Sequence, residues 1–127
     1  MKKIVIIGGG FAGISALAKI SKWPREMEVA LIDKKNEFNF LPVIPDIIGR
    51  KITPGFLTNN LGDICRRFES KFLNEEAQGI NFSRKEISTS STTIPYDYLI
   101  LASGSETNFY NDEVLKSNSF KLDGVSD

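Results

Sequence analysis

Three short, mainly apolar runs divide the chain, and runs of this length are typical of strands that are covered on both faces. They span residues 3–7, 28–32 and 98–102. The first run stops at three glycines, and apolar residues with helical spacing then follow over 11–22. The first third of the chain therefore predicts a strand, a helix and a second strand, with the two strands parallel and joined by a right-handed crossover.

Outside these runs the periodicity is weaker. We expect an ordered loop with a short helix near 43–49 to occupy 34–55, and a helix to follow over 57–69. Three further strands separated by polar turns predict a small antiparallel meander, and they span about 71–82, 86–90 and 93–96. The tail from residue 105 is polar, and we expect it to be anchored by its scattered apolar residues: Phe109, Tyr110, Val114, Leu115, Phe120 and Leu122.

Composition narrows the chemistry that the chain can carry. Its 127 residues are expected to form one domain, and 16 basic residues balance 16 acidic ones. With no net positive charge, no nucleic-acid partner is expected. The chain has no histidine, which excludes Ser-His-Asp catalysis and histidine-ligated metal within it.

Cysteine usage and hydropathy add two further expectations. Cys65 is the one cysteine, so the chain can form no internal disulfide and no structural zinc site. We expect Cys65 to be a core residue, and an unpaired thiol fits a reducing, cytoplasmic compartment. No apolar run approaches the roughly 18 residues that a transmembrane segment needs.

Residues 8–13, Gly-Gly-Gly-Phe-Ala-Gly, have the spacing G-x-G-x-x-G between the first strand and the helix. In this pattern Gly8 permits the tight turn, Gly10 lets a pyrophosphate approach the backbone, and Gly13 lets the helix pack closely on the sheet. Backbone N–H groups at the helix N-terminus then face the phosphates. The candidate phosphate-binding residues are Gly8, Gly10, Phe11, Ala12 and Gly13.

Asp33 ends the second strand 20 residues after Gly13. From this position a carboxylate accepts hydrogen bonds from ribose hydroxyls. Lys34 and Lys35 raise the alternative of a 2′-phosphate, as in NADP, against which Asp33 argues. A glycine-rich turn that binds nothing, with Asp33 as a solvated acid, is the structural alternative. The pattern alone leaves FAD, NAD and S-adenosylmethionine open.

A second segment, Asp97-Tyr98-Leu99-Ile100-Leu101-Ala102-Ser103-Gly104, follows the predicted meander. Together with the glycine pattern, the loop Phe38-Asn39-Phe40-Leu41-Pro42 and the stretch 105–110, it resembles the FAD-binding half of two-dinucleotide-binding flavoproteins. The resemblance is to the type II NADH dehydrogenase (NADH:quinone oxidoreductase) branch, near the sulfide:quinone reductases. It spans essentially the whole chain. The implied fold is α/β, a Rossmann-like three-layer FAD domain with a parallel sheet and an antiparallel β-meander, incomplete by its last strand.

The resemblance also implies site residues. Asp33 would bind the adenosine ribose of FAD, Lys34 would flank the adenine, and Pro42 would lie near the flavin ring. The pyrophosphate would be held by Gly8, Gly10 and Gly13 and wrapped from the second side by Ala102, Ser103 and Gly104. Asn108 matches an asparagine of the same family stretch. For Phe38 and Phe40 core packing is the alternative, and neither a catalytic side chain nor a metal is implied.

The implied activity is flavin-dependent electron transfer from NADH to a quinone-type acceptor. In the family, NADH binds a second Rossmann unit, and a C-terminal region makes dimer or membrane contacts. Neither lies within residues 1–127, so we expect these residues to be the N-terminal FAD-binding segment of a longer flavoenzyme, inactive alone. The parent would be cytoplasmic or peripheral to a membrane, with homodimerisation among its implied contacts. A non-catalytic dinucleotide-binding module or truncated fragment is the alternative.

Overall fold

The computed structural model describes residues 1–23, 26–39 and 58–120. The strands in these ranges are β1 (Lys2–Ile7), β2 (Met27–Ile32), β3 (Glu37–Asn39), β4 (Thr58–Asn60), β5 (Lys71–Leu73), β6 (Ala77–Asn81), β7 (Glu86–Thr89), β8 (Thr93–Pro95) and β9 (Tyr98–Leu101). The helices are α1 (Phe11–Ile20), α2 (Leu61–Arg67) and α3 (Glu113–Asn118). The predicted strand–helix–strand order at the start of the chain is thus confirmed.

A parallel sheet with strand order β5-β2-β1-β9 forms the centre of the fold. In its register Ile4 of β1 lies between Val29 of β2 and Tyr98 of β9. The strand order reverses at β1, since β2 and β5 lie on one side of it and β9 on the other. In open α/β sheets, ligands bind outside the carboxyl ends of the strands at such a switch point.

The two faces of this sheet are covered by different layers. Ile4 and Ile6 face α1 and α2, where they pack with Leu17 and Leu61. Val5 faces the other way and packs with Ile87 of the antiparallel sheet β6-β7-β8. Because successive side chains of a strand point to opposite faces, a strand between two apolar layers needs a continuous apolar run. The three-layer arrangement and the β-meander are therefore as predicted.

The single strand predicted over 71–82 is wrong, because the chain changes sheets within it. Lys71–Leu73 joins the parallel sheet, with Phe72 opposite Leu31 of β2, and Ala77–Asn81 begins the meander. The Asn74 side chain donates hydrogen bonds of 3.0 Å to the carbonyls of Asp33 and Lys34. This contact fixes the break at the carboxyl end of β2.

The helix predicted over 57–69 begins at Leu61, because the Asn60 side chain caps it by accepting a 3.1 Å hydrogen bond from the Asp63 N–H. Residues 58–60 instead pair with Glu37–Asn39 as a short antiparallel ladder. The predicted helix near 43–49 and most of the loop predicted over 34–55 lie outside the described residues.

The tail contains a short helix that the sequence did not predict. The Asp112 side chain starts α3 by accepting hydrogen bonds from the N–H groups of Val114 and Leu115. The expected apolar anchoring is wrong for four residues, which are exposed: Tyr110, Val114, Leu115 and Phe120. Phe109 is half-buried, and Leu122 lies outside the described residues.

Candidate functional site

Two glycines, one in the turn between β1 and α1 and one in the first turn of α1, are required by contacts within the backbone. Gly8 has a φ of +106°, and a Cβ there would overlap the Ala102 carbonyl oxygen. A Cβ on Gly13 would overlap the carbonyl oxygen of Gly8. Gly8 also continues the β1–β2 ladder, donating to the Ile32 carbonyl at 2.8 Å. These contacts bring the start of α1 close to the carboxyl ends of β1 and β9.

Gly10 differs from these two glycines because a Cβ placed on it would meet no atom within 4 Å. It is the N-terminal cap of α1, in extended conformation, and no side chain of the described residues caps the helix there. The first-turn N–H groups of a helix lack intrahelical partners and carry the positive end of its dipole. Gly10 thus opens the turn at the place where an anion would be stabilised.

The Asp33 carboxylate joins the turns that follow β1 and β2. Its Oδ2 accepts a 2.6 Å hydrogen bond from the Gly9 N–H, and its Oδ1 accepts a 2.8 Å bond from the Lys35 N–H. A Cβ on Gly9 would lie 2.6 Å from Leu61 Cδ1 and 3.2 Å from Asp33 Oδ2. Sequence reasoning missed Gly9, because G-x-G-x-x-G allows any residue at its second position. The available signal was a run of three consecutive glycines, because the pattern needs glycine at only the first and third of these positions.

These elements enclose a cleft of about 540 Å³ at the carboxyl ends of β1, β2 and β9. Nine predicted site residues line it: Gly8, Gly10, Phe11, Ala12, Asp33, Lys34, Ala102, Ser103 and Gly104. Five other residues also line it: Gly9, Lys35, Glu37, Ser105 and Glu106. Gly13 does not line it and supports the turn through Gly8. The predicted Pro42 lies outside the described residues.

A side cavity of about 250 Å³ adjoins the cleft and shares five lining residues with it: Gly8, Asp33, Lys34, Ser103 and Glu106. Its outer wall contains Glu75 and Glu76, which follow β5. The Glu75 carboxylate accepts hydrogen bonds from Thr89 and, at 2.6 Å, from Ser91.

The charges of that wall are arranged by local contacts. The hydrogen bonds from Ser91 and Thr89 lower the pKa of Glu75, so its carboxylate stays ionised. Lys34 Nζ lies 3.6 Å from Glu76 Oε1. This ion pair spans from the end of β2 to the wall, and it balances the charge of the lysine that sequence reasoning placed beside the ligand.

Asp97 opens the segment that carries the family resemblance, yet it lies at the amino end of β9, away from the cleft lining. Its Oδ2 accepts a 2.7 Å hydrogen bond from the Lys3 N–H, and its own N–H donates to the Lys3 carbonyl at 2.9 Å. The bond from the Lys3 N–H, together with the charge of Lys2, lowers the pKa of Asp97. This residue fastens β9 to β1.

Cys65 occupies the core position that the sequence predicts. Its side chain is 1% exposed and packs in the cluster between the sheet and α2. Burial raises the pKa of the thiol, which favours the unreactive protonated form. Among the described residues there is also no group of three or more His, Cys, Asp or Glu side chains that could hold a metal ion.

A parallel sheet with its switch point at β1, a glycine turn at that point and a carboxylate at the end of β2 define a Rossmann-like dinucleotide-binding fold. Comparison with known protein families agrees with this fold. The chain belongs to the pyridine nucleotide-disulphide oxidoreductase family, whose model matches residues 2–126. The family assignment made from the sequence is confirmed.

Individual relatives are quinone oxidoreductases by name. The chain is 30% identical over 106 residues to the sulfide-quinone reductase of Aquifex aeolicus, covering 81% of this chain and 24% of that protein. It is 26% identical over 138 residues to the mitochondrial external alternative NAD(P)H-ubiquinone oxidoreductase B2 of Arabidopsis thaliana, covering 99% of this chain and 23% of that protein. The chain thus spans about a quarter of the length of these relatives.

Solved structures show the same fold. The sulfide:quinone oxidoreductase of Aquifex aeolicus superimposes with a TM-score of 0.80 and 28% identity, over 86% of this chain and 26% of that one. NDH2 of Plasmodium falciparum, solved in complex with NADH, gives a TM-score of 0.86 and 23% identity, over 98% of this chain and 27% of that one. Over the ranges that the structure describes, no helix is long and apolar enough to cross a membrane.

Proposed function

We propose that residues 1–127 bind FAD and form the flavin-binding part of an oxidoreductase that passes electrons from NADH to a quinone-type acceptor. The observation that carries the proposal is the cleft at the switch point. There the open Gly10, the Asp33 carboxylate and the segment 102–104 approach one space from three strands. Membership of the family supports the redox class, and the names of the relatives support NADH and quinone as the reactants.

The residues of the cleft fit a dinucleotide. The N-terminus of α1, uncapped by side chains of the described residues, would hold the pyrophosphate beside Gly10, and the backbone of Ala102, Ser103 and Gly104 would close over it. Asp33 would accept hydrogen bonds from the ribose hydroxyls. Bound flavin would supply the chemistry of accepting a hydride and delivering electrons, while this chain supplies binding and orientation.

The charges around Lys34 support FAD rather than a 2′-phosphorylated cofactor. Lys34 Nζ is 3.6 Å from Glu76 Oε1, and Asp33, Glu75 and Glu76 all border the side cavity. A 2′-phosphate placed beside Asp33 would meet these carboxylates, and Lys34, one of the two lysines of the cleft lining, is already paired with Glu76. The negative charges of the phosphate and of the carboxylates repel each other, which opposes binding. In this proposal Lys34 flanks the adenine with its charge balanced by Glu76.

The binding part is tested by titrating the ligand-free protein with FAD, NAD, NADP and S-adenosylmethionine. We expect FAD to bind with quenched flavin fluorescence. Asp33→Ala should weaken that binding by about 1–3 kcal/mol, because a charge-assisted hydrogen bond is lost. Asp63→Ala is the matched control, since Asp63 is an exposed carboxylate on α2 outside the cleft lining. Tight binding of NAD or S-adenosylmethionine without FAD binding would overturn the proposal.

The electron-transfer part needs a second measurement, because the chain spans only about a quarter of the relatives' length. NADH is added without oxygen to the FAD-loaded protein, and the flavin absorbance is followed. Bleaching assigns NADH oxidation to these residues. Persistent colour assigns them binding alone, as in a non-catalytic dinucleotide-binding module. Homodimerisation and a cytoplasmic or membrane-peripheral location stay predictions, to be checked by sedimentation and fractionation.

A further inference from the structure

We propose that Asp33 is also a positioning residue, whose carboxylate locks the glycine turn into its binding shape before any ligand arrives. The first observation is the pair of hydrogen bonds that it accepts. Asp33 Oδ2 lies 2.6 Å from the Gly9 nitrogen, and Oδ1 lies 2.8 Å from the Lys35 nitrogen. Hydrogen bonds from N–H to an ionised carboxylate are short and about twice as strong as neutral ones.

This carboxylate is placed to join two separate turns. Gly9 follows β1, and Lys35 follows β2, which lies beside β1 in the sheet. The two strands are held along their length by the parallel ladder, which ends with Gly8 donating to the Ile32 carbonyl. Beyond Gly8 and Ile32 the two backbone segments diverge and no longer pair with each other. The Asp33 side chain therefore takes over as the link between them.

The second observation concerns the space that a Gly9 side chain would occupy. A Cβ on Gly9 would lie 2.6 Å from Leu61 Cδ1 and 3.2 Å from Asp33 Oδ2. Leu61 is fully buried at the start of α2, and its N–H donates to the Asn36 carbonyl at 2.8 Å. A carboxylate and a buried apolar side chain thus both approach the space that a Gly9 side chain would fill. The lack of that side chain is what allows both to approach.

The lock has a consequence for ligand binding, and this step rests on the proposed function. Because the Gly9 N–H is directed to Asp33, a pyrophosphate would approach the turn at Gly10 rather than at the Gly9 N–H. Each carboxylate oxygen can accept a second hydrogen bond, so Asp33 can still accept hydrogen bonds from ribose hydroxyls. A turn that is already ordered spares the ligand the entropic cost of ordering it.

Amide hydrogen exchange in the ligand-free protein tests the lock directly. In wild type, we expect the Gly9 and Lys35 amides to be protected. Asp33→Ala should reduce the protection of both by about ten- to hundredfold, since each loses a hydrogen bond to a charged group. Asp33→Asn should spare one of the two, because an amide side chain offers one acceptor oxygen and a donating NH₂ group.

Internal references separate a local lock from general destabilisation. The amides of Gly8 and Ala102 donate to the Ile32 and Ile7 carbonyls at 2.8 Å and do not contact Asp33. A loss at Gly9 and Lys35 that exceeds the loss at these references supports the lock. Equal losses at all four amides, or unchanged protection at Gly9 in Asp33→Ala, would overturn it.

A second amide hydrogen exchange experiment uses Gly9→Ala, with Gly10→Ala as its matched control. Gly9→Ala should lower the protection of the Lys35 amide, because a Cβ 2.6 Å from Leu61 Cδ1 and 3.2 Å from Asp33 Oδ2 forces the turn and the carboxylate to move apart. Gly10→Ala should leave that protection unchanged, because its Cβ meets no atom within 4 Å. FAD titration of the same variants is read separately. Protection that behaves as expected in a protein that binds no FAD would contradict the proposed function and leave the lock intact.

Discussion

Adjacent glycines in the β1–α1 turn have different physical reasons to be glycine. Gly8 needs a positive φ, Gly9 needs room for Asp33 and Leu61, and Gly10 has no neighbour within 4 Å of a Cβ. No described residue within 4 Å therefore requires glycine at position 10, whereas a ligand in the cleft would approach that position closely. The geometry therefore separates glycines that the fold requires from the glycine that a ligand would require.

This difference predicts opposite effects for two substitutions in one motif. Gly10→Val should abolish FAD binding and lower the free energy of unfolding by only about 1 kcal/mol, because its Cβ meets no atom within 4 Å while valine is a poorer N-cap than glycine. Gly13→Ala should destabilise the fold by about 1–3 kcal/mol, since its Cβ overlaps a backbone carbonyl. Urea unfolding and FAD titration of both variants measure the two effects. A Gly10→Val protein that binds FAD like wild type would show that the pyrophosphate lies elsewhere.

At the scale of elements, β9 serves two purposes at its two ends. Its amino end is fastened to β1 through Asp97, which exchanges hydrogen bonds with the Lys3 backbone at 2.7 and 2.9 Å. Its carboxyl end delivers residues 102–104 to the cleft. The sequence segment 97–104 therefore combines a structural clamp with a binding stretch. The sequence pattern alone could not separate the structural residue from the binding residues, because their roles depend on which end of the sheet each one reaches.

The clamp predicts an acid-sensitive component of stability. The pKa of Asp97 is lower in the folded state than its ordinary value near 4, so the unfolded chain binds its proton first as the pH falls. The stabilisation is present above about pH 4 and is lost as the pH falls through the folded pKa. Asp97→Asn should flatten the fall of the unfolding free energy below about pH 5.

Chemical denaturation between pH 2 and pH 7 measures that slope. Part of it should remain in Asp97→Asn, because Glu28 and Glu75 also have lowered pKa values from their hydrogen bonds with Lys71 and with Ser91. Identical slopes in variant and wild type would show that Asp97 does not titrate with folding.

At the scale of the whole molecule, the sequence predicted the layers better than the connections between them. The runs at β1, β2 and β9 are apolar because both faces of the parallel sheet are covered, and that cause is local to each run. β5 joins the same sheet by pairing with β2, and Asn74 then contacts the distant end of β2, which no short pattern encodes. The predicted anchoring of the tail was wrong for a related reason. Tyr110 and Phe120 are aromatic, but their burial requires a partner surface that sequence periodicity does not specify.

The cleft draws on β1, β2 and β9 together, so a ligand that fills it should stabilise the whole fold rather than one turn. FAD at one hundred times its dissociation constant should add about 2.7 kcal/mol to the free energy of unfolding. For a chain of this size that corresponds to a rise in Tm of about 10 °C. Flavin mononucleotide lacks the adenosine that Asp33 would hold, and it should give a much smaller rise.

Two variants make the thermal measurement specific to the cleft. Gly10→Val should change the ligand-free Tm by only a few degrees and lose the shift, because its Cβ meets no protein atom within 4 Å and its side chain enters the binding space. Asp97→Ala should lower the ligand-free Tm and keep the shift, because it loosens β9 at the end away from the cleft. An equal shift in wild type and Gly10→Val would mean that FAD stabilises the protein from another surface. Loss of the shift in Asp97→Ala would mean instead that binding in the cleft depends on the hydrogen bonds at the amino end of β9.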